Sequence, residues 1–251
     1  MNRTLSKEKL LHSGSLILVN ARYPYAGVRE NEALSPVGDG SSILLNREAA
    51  GMLCRLMALL NGWESIAPVS GWRSVNEQRK IWNGSMEENG PDFTRKFVAA
   101  PGHSEHQTGL AIDLGLRQEN IDFICPAFPY SGICMSFRER AAEFGFVERY
   151  PSGRENVTGI SHEPWHFRYV GRPHAELMNK MDLTLEEYTD FLRQFPFGDN
   201  PLKYGSGGFH WEISFIPWDR ELPERALTYP YSISGNNVDG YILTTQTRGE
   251  K

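Results

Sequence analysis

Two short segments of this 251-residue chain concentrate side chains able to hold a metal ion. His106-Gln107-Thr108-Gly109-Leu110-Ala111-Ile112-Asp113 sets an imidazole and a carboxylate seven residues apart, and His162-Glu163-Pro164-Trp165-His166 supplies further imidazoles and a second carboxylate. Four of the seven histidines, His103, His106, His162 and His166, lie in or beside these segments. Imidazole nitrogen with carboxylate oxygen is a first shell suited to Zn²⁺, with the fourth position left to water or substrate. His106, Asp113 and His166 would make three protein ligands, while His103 and His162 are rivals that their neighbours do not exclude. Glu163 would then stand near the metal without binding it. A carboxylate there can take the proton from water and return it to a leaving amine. One His–Asp pair at this spacing is common by chance; two His-rich clusters, each with a carboxylate, give the pattern its weight.

Three more residues belong with this chemistry. Arg73 falls between a strand end and a helix start, where a guanidinium can reach a developing oxyanion or a substrate carboxylate. A structural ion pair is the competing use. Gln78 sits on the first turns of the following helix, able to donate to a substrate carboxylate or simply to face water. Trp165 would wall the site or only pack.

The elements that must position these groups read as follows. Asn46 caps a helix to about Leu60 with an apolar face of Ala49, Met52, Leu53, Leu56 and Leu60, stopped by Gly62. Leu16–Val19 and Ile66–Val69 predict short strands, the second leading into Gly71-Trp72-Arg73. Ser74-Val75-Asn76-Glu77 is a capping box that opens a helix to about Trp82. Gly84–Pro91 predicts a loop, within a long irregular stretch from Asn83 to Pro101. Leu110–Leu114 predicts a core strand that holds Asp113 rigidly. Ser136, with Glu139 three on, opens a helix to Phe144 with Gly145 as its C-cap. His166–Val170 alternates with period two and predicts a strand. Pro173 opens a short helix, and Thr184 with Glu187 opens another that ends near Phe195. This order suggests the α+β class.

From Pro196 the texture changes. Phe209, Trp211, Ile213 and Phe215 alternate with His210, Glu212 and Ser214. Tyr229–Ser234 and Tyr241–Thr245 follow as β-prone runs around the turn Gly235-Asn236-Asn237. Residues 1–195 are expected to form a catalytic domain, and residues 196–251 a β-rich extension packed on it. The aromatic tail can pack inward or against a partner chain.

Composition bounds the rest. Lys and Arg total 26 against 31 Asp and Glu, a net charge of −5, so nothing draws the chain to nucleic acid or to an anionic membrane. Cys54, Cys125 and Cys134 are too few for a disulfide scaffold; Cys54 reads as a core thiol, and Cys125 and Cys134 flank a loop across which they could pair. No CxxC is present. No run approaches 18 apolar residues, so no membrane span is expected, and no signal-peptide-like apolar region opens the sequence; the expected compartment is the cytoplasm.

Ser104-x-His106-x-x-Gly109-x-Ala111-x-Asp113 and Glu163-x-Trp165-His166 resemble the SxHxxGxAxD and ExWH motifs of the zinc D,D-peptidases of the VanY, VanX and VanXY types. Ser70-Gly71-Trp72-Arg73-Ser74 resembles the segment that carries that family's substrate-binding arginine. The motifs span about residues 66–170, with weaker likeness from roughly 15 to 195, and the likeness is strongest to the bifunctional VanXY type of D-Ala-D-Ser vancomycin resistance. The resemblance implies a small antiparallel sheet flanked by helices, with one zinc ion at the sheet held by His106, Asp113 and His166. It implies Glu163 as general base and Arg73 as the oxyanion partner. It implies Ser104 and Gln78 as donors to the substrate's C-terminal carboxylate, and secondary or structural roles for His103 and His162. The implied substrates are free D-Ala-D-Ala and the peptidoglycan precursor pentapeptide that ends in it. Removing that terminus removes the target of vancomycin. A D,D-carboxypeptidase only, or a phage or cell-wall endopeptidase of the same zinc family, is the alternative enzyme. A non-catalytic module that keeps the metal cradle is the alternative of another class, disfavoured because Glu163 and Arg73 are both present.

Overall fold

The structure is a computed structural model that describes residues 6–27, 33–38, 40, 42–222 and 230–248. In chain order its helices are α1 (Lys7–Leu11), α2 (Arg47–Leu60), α3 (Val75–Glu88), α4 (Gly90–Phe97), α5 (Gly132–Ala141), α6 (Glu155–Thr158), α7 (His174–Met181) and α8 (Leu185–Leu192). Its strands are β1 (Leu34–Pro36), β2 (Leu44–Asn46), β3 (Ile66–Ser70), β4 (Ala111–Leu116), β5 (Phe146–Tyr150), β6 (Glu163–Tyr169), β7 (Leu202–Ser206), β8 (Phe209–Pro217), β9 (Tyr231–Gly235) and β10 (Gly240–Arg248). The expected α+β class, with antiparallel sheets and helices, is observed.

The chain forms two compact units. One comprises Val19–Tyr25 and Arg29–Thr184, and its main sheet is antiparallel in the order β3-β4-β6-β5. Period-two alternation gives that sheet two unlike faces. Ile112 and Leu114 of β4 and Trp165, Phe167 and Tyr169 of β6 enter the apolar core, together with Leu53, Leu56 and Met57 of α2 and Phe137 of α5. Asp113, His166 and Arg168 alternate with them and are buried as well. The sheet therefore has an apolar face and an ionic one. A β1–β2 pair completes the strands of this unit.

Several elements differ from the expectation of the sequence. Leu16–Val19 is buried but is not a strand: Leu16 N–H donates to Ser234 Oγ, Leu18 N–H to the Asn236 carbonyl, and Asn237 Nδ2 to the Leu18 carbonyl. Asn46 caps α2 as expected, but the left-handed residue that ends it is Asn61 at φ 48°, one residue before Gly62. The Ser74/Glu77 capping box is formed, and α3 runs past Trp82 to Glu88. The stretch expected to be irregular is thus largely helical. Gly84 does not break α3, Pro91 occupies the first turn of α4, and Ser85 Oγ bonds Thr94 Oγ1 at 2.8 Å to tie the two helices together. The helix expected from Ser136 starts earlier, at Gly132, and Ser136 Oγ donates back to the Gly132 carbonyl. α8 ends at Leu192, not near Phe195.

Gly145 closes the turn after α5 at φ 84°. Its carbonyl accepts from Val170 and Gly171 N–H, and an added Cβ would lie 2.7 Å from Tyr169 Cε2 and 2.9 Å from Gly171 Cα. Neither the backbone angle nor the space admits a side chain. Gly145→Ala is expected to cost at least about 2 kcal/mol and lower Tm by about 4 °C or more, read by calorimetry.

The other unit comprises Met1–Leu18, Ala26–Val28 and Leu185–Lys251. Its sheet is antiparallel in the order β7-β8-β10-β9. Trp211, Ile213 and Phe215 are buried along β8 while His210 and Glu212 face water, as the alternation requires, but Ser214 is buried as well. Asn236 Oδ1 accepts from Val238, Asp239 and Gly240 N–H and builds the β9–β10 turn. Tyr229, expected to start a strand, lies outside the described residues. Cys54, Cys125 and Cys134 are all free thiols. Among the described residues no helix is long and apolar enough to cross a membrane.

Candidate metal centre and active-site cleft

Asp113 and His166 are register partners across the β4–β6 ladder, so their side chains leave the sheet on one face. Glu163 sits three residues before His166, which in an ideal strand would send it to the opposite face. The β5–β6 ladder is irregular between the pairs Glu148–Phe167 and Tyr150–Glu163, and Glu163 Oε2 comes within 3.8 Å of His166 Nδ1. His106 arrives on a one-turn 3₁₀ segment, Glu105–Thr108, which Gly109 ends at φ 71°. Arg73 follows β3, and its backbone N–H donates to the His106 carbonyl at 3.3 Å.

The ligand atoms of His106, Asp113 and His166 lie within 4.8 Å of one another, and all three residues are buried. Their hydrogen bonds show that the set suits a cation. His106 Nδ1 is 2.7 Å from the Gly71 carbonyl, which can only accept, so Nδ1 carries the proton. His106 Nε2 then faces Asp113 Oδ2 at 3.1 Å. With the ring neutral, two lone pairs would meet there unless a proton or a metal ion lay between them. Asp113 Oδ1 is 2.8 Å from His166 Nδ1 on the other side. Imidazoles whose second nitrogen is tied to an acceptor in the protein are the usual way a site presents metal-binding nitrogens.

The charges follow from burial and neighbours. Burial pushes the His106 imidazole down to about 4, with Arg73 adding to the effect, so the ring is neutral at pH 7. Burial opposes ionisation of Asp113, but His106 and His166 outweigh it and hold the carboxyl well below the usual range. Burial would also lower His166, yet its hydrogen bond to Asp113 and the Glu105 carboxylate 3.5 Å away raise it to about 9. Glu163 has less compensation, and burial raises its carboxyl to about 8. Arg73 Nη2 stands 3.9 Å from Asp113 Oδ2, and its Nε is buried without a hydrogen-bond partner.

These groups line one cleft, which Ser104, Gln78 and Trp165 also border. Gln78 Nε2 donates to the Ala99 carbonyl at 2.7 Å, and its Oε1 has no partner. Trp165 belongs both to the cleft wall and to the apolar core. The rival histidines lie outside the cluster: His103 Nδ1 is 2.8 Å from the Asn20 carbonyl, and His162 Nε2 is 2.7 Å from Tyr130 Oη. Residues the sequence did not single out are Glu105, Arg149 and Arg168, a buried ionic group beneath His166, and Tyr150, whose ring centre is 4.9 Å from that of His166. A glutamate between two motif residues was the one visible signal. Its partners come from β5 and β6, remote in sequence.

Residues 42–172 match the family described as VanY: D-alanyl-D-alanine carboxypeptidase. The bifunctional D-Ala-D-Ala dipeptidase and D-Ala-D-Ala carboxypeptidase VanXYC of Enterococcus gallinarum is 43% identical over 183 residues, which cover 72% of this chain and 96% of that protein. The crystal structure of the vancomycin resistance D,D-dipeptidase VanXYg in complex with a D-Ala-D-Ala phosphinate analog aligns with a TM-score of 0.89 at 44% identity, over 96% of each chain. A mutant of the vancomycin resistance D,D-pentapeptidase VanY from a VanB-type cassette, solved in complex with Zn(II), aligns with a TM-score of 0.56 at 28% identity, over 70% of this chain and 98% of that one.

Proposed function

The chain belongs to the VanY family of D-alanyl-D-alanine carboxypeptidases, and from that membership we propose a zinc-dependent D,D-peptidase that hydrolyses D-Ala-D-Ala both as the free dipeptide and at the end of the peptidoglycan precursor pentapeptide. The observation that carries the reading is the buried His106–Asp113–His166 cluster with Glu163 beside it. The two activities named for VanXYC support both substrates, the D,D-dipeptidase VanXYg supports the free dipeptide, and hydrolysis of the terminus that vancomycin binds makes resistance the outcome. The cytoplasmic location implied by likeness to the VanXY type is part of the same proposal.

His106 through Nε2, Asp113 through its carboxylate and His166 through Nδ1 would hold the zinc ion. Zinc bound there supplies Lewis acidity toward the scissile carbonyl and lowers the pKa of water. Glu163 takes the proton from the attacking water and delivers it to the departing D-alanine amine. Burial raises this carboxyl, which beside a bound zinc ion would fall again toward neutral pH, where it can accept and then give a proton. Arg73, with an unpartnered Nε–H, donates to the carbonyl oxygen as it becomes an oxyanion. The Ser104 hydroxyl meets the substrate's terminal carboxylate. Gln78 adds the second hydrogen of Nε2, since the first is engaged by Ala99. Trp165 closes the wall. An L-residue would shift the carbonyl from this frame, and a displacement of about 1 Å can cost roughly a hundredfold.

The test is D-alanine release by zinc-loaded protein from D-Ala-D-Ala and from the pentapeptide, side by side. Release from both is expected, with none from L-Ala-L-Ala. Release from the pentapeptide alone would reduce the function to a carboxypeptidase, and release from neither would overturn the reading.

A further inference from the structure

Glu105 is fully buried, and its two oxygens meet different surroundings. Oε1 accepts from Arg149 Nε at 2.8 Å and lies 2.8 Å from Arg168 Nη1, both guanidiniums being buried too. Oε2 has no hydrogen-bond partner and stands 3.5 Å from His166 Nε2, which also has none. That gap is about 0.5 Å longer than an ordinary N–H···O bond. On the far side of the same ring, Nδ1 is 2.8 Å from Asp113.

We infer that Glu105 is the positioning residue that sets the tautomer of His166, and that Arg149 and Arg168 aim it. The inference rests on the metal reading of the His106–Asp113–His166 cluster. An imidazole that offers Nδ1 to a metal must carry its proton on Nε2. A carboxylate can only accept, so Glu105 Oε2 stabilises Nε2–H and leaves the Nδ1 lone pair for the ion. His106 has a separate lock in the Gly71 carbonyl.

The two arginines make the device testable. Guanidinium groups only donate. In Glu105→Gln they would draw the amide oxygen to themselves and turn the NH₂ toward His166. A donor facing Nε2 favours the Nδ1–H tautomer, which has no lone pair for a metal. A substitution that keeps the side chain's size is thus expected to reverse the preference. If Glu105 only neutralised two buried arginines, the same change would reduce stability and leave the folded protein's zinc affinity alone.

Zinc affinity is measured by competition with a chromophoric chelator, and His166 is observed by ¹⁵N NMR in histidine-labelled protein. Glu105→Gln is expected to bind zinc roughly 10- to 100-fold more weakly. Wild-type zinc protein is expected to carry the His166 proton on Nε2. Affinity of folded Glu105→Gln within about twofold of wild type, as against the loss typical of a removed ligand partner, overturns the inference. So does a wild-type proton on Nδ1, a result that stands even where the variant does not fold. A wild-type protein that takes up no zinc defeats the metal reading and this inference together, whereas tight wild-type binding with an unaffected variant defeats the role of Glu105 alone.

Discussion

Glu163→Gln is expected to retain zinc and lose turnover. The amide keeps the shape of the side chain but cannot take a proton from water or return one to the amine. Because the proposed role has Glu163 serve both steps, kcat should fall by about 10³-fold or more, the upper part of the range for general acid–base groups. Glu163 is not among the three clustered residues proposed to hold the metal, so zinc content by elemental analysis should match wild type. A variant within about tenfold of wild-type activity would sink the base assignment, since loss of a proton-transfer group costs at least about a hundredfold. A variant that lost its zinc would instead make Glu163 part of the metal cradle.

His106→Ala is expected to weaken zinc binding by more than about 100-fold, because a lost ligand should exceed the effect of a lost supporting hydrogen bond. The wild-type protein should gain about 4 kcal/mol of stability at a zinc concentration 1,000 times its Kd, seen as a rise in Tm that the variant lacks. Proton competition gives the wild-type titration a direction. His166 is raised to about 9, so at pH 7 a proton occupies a ring that, in the proposed ligand set, must become neutral. Zinc uptake therefore releases protons at pH 7, and affinity climbs with pH until about 9. Calorimetry in two buffers of different ionisation enthalpy measures the release. Unchanged zinc affinity in His106→Ala would remove His106 from the ligand set.

The clustered residues were legible because their chemistry is carried by residue type at short spacing. His106 and Asp113 share one segment, and Glu163 and His166 another. Choosing His106 and His166 over His103 and His162 was not possible from spacing alone. It depends on where the Gly71 and Asn20 carbonyls and the Tyr130 hydroxyl lie. β5 escaped notice because Phe146-Val147-Glu148-Arg149-Tyr150 puts adjacent charges in the middle of a strand, and only the fold shows Arg149 buried against Glu105. The last turns of α3 and the whole of α4 were masked by Gly84, Gly90 and Pro91, which local propensity reads as breaks and a bond between Ser85 and Thr94 overrides. Leu16–Val19 shows the converse: apolar residues signal burial, but whether their backbone joins a ladder depends on which partners reach it.

The pairing of Asp113 with His166 across β4 and β6 has an evolutionary consequence. Ladder hydrogen bonds set the distance between these two side chains, and the chain between the strands, residues 117–162, does not enter into it. Insertions and deletions in the loops of that stretch, outside α5 and β5, can accumulate without disturbing the spacing of the pair. A slip of β6 by one residue would turn His166 away from Asp113, so such a change is removed by selection at once. The architecture separates a part that must be inherited intact from parts that can drift in length, and new substrate ranges can arise from the second without risk to the first.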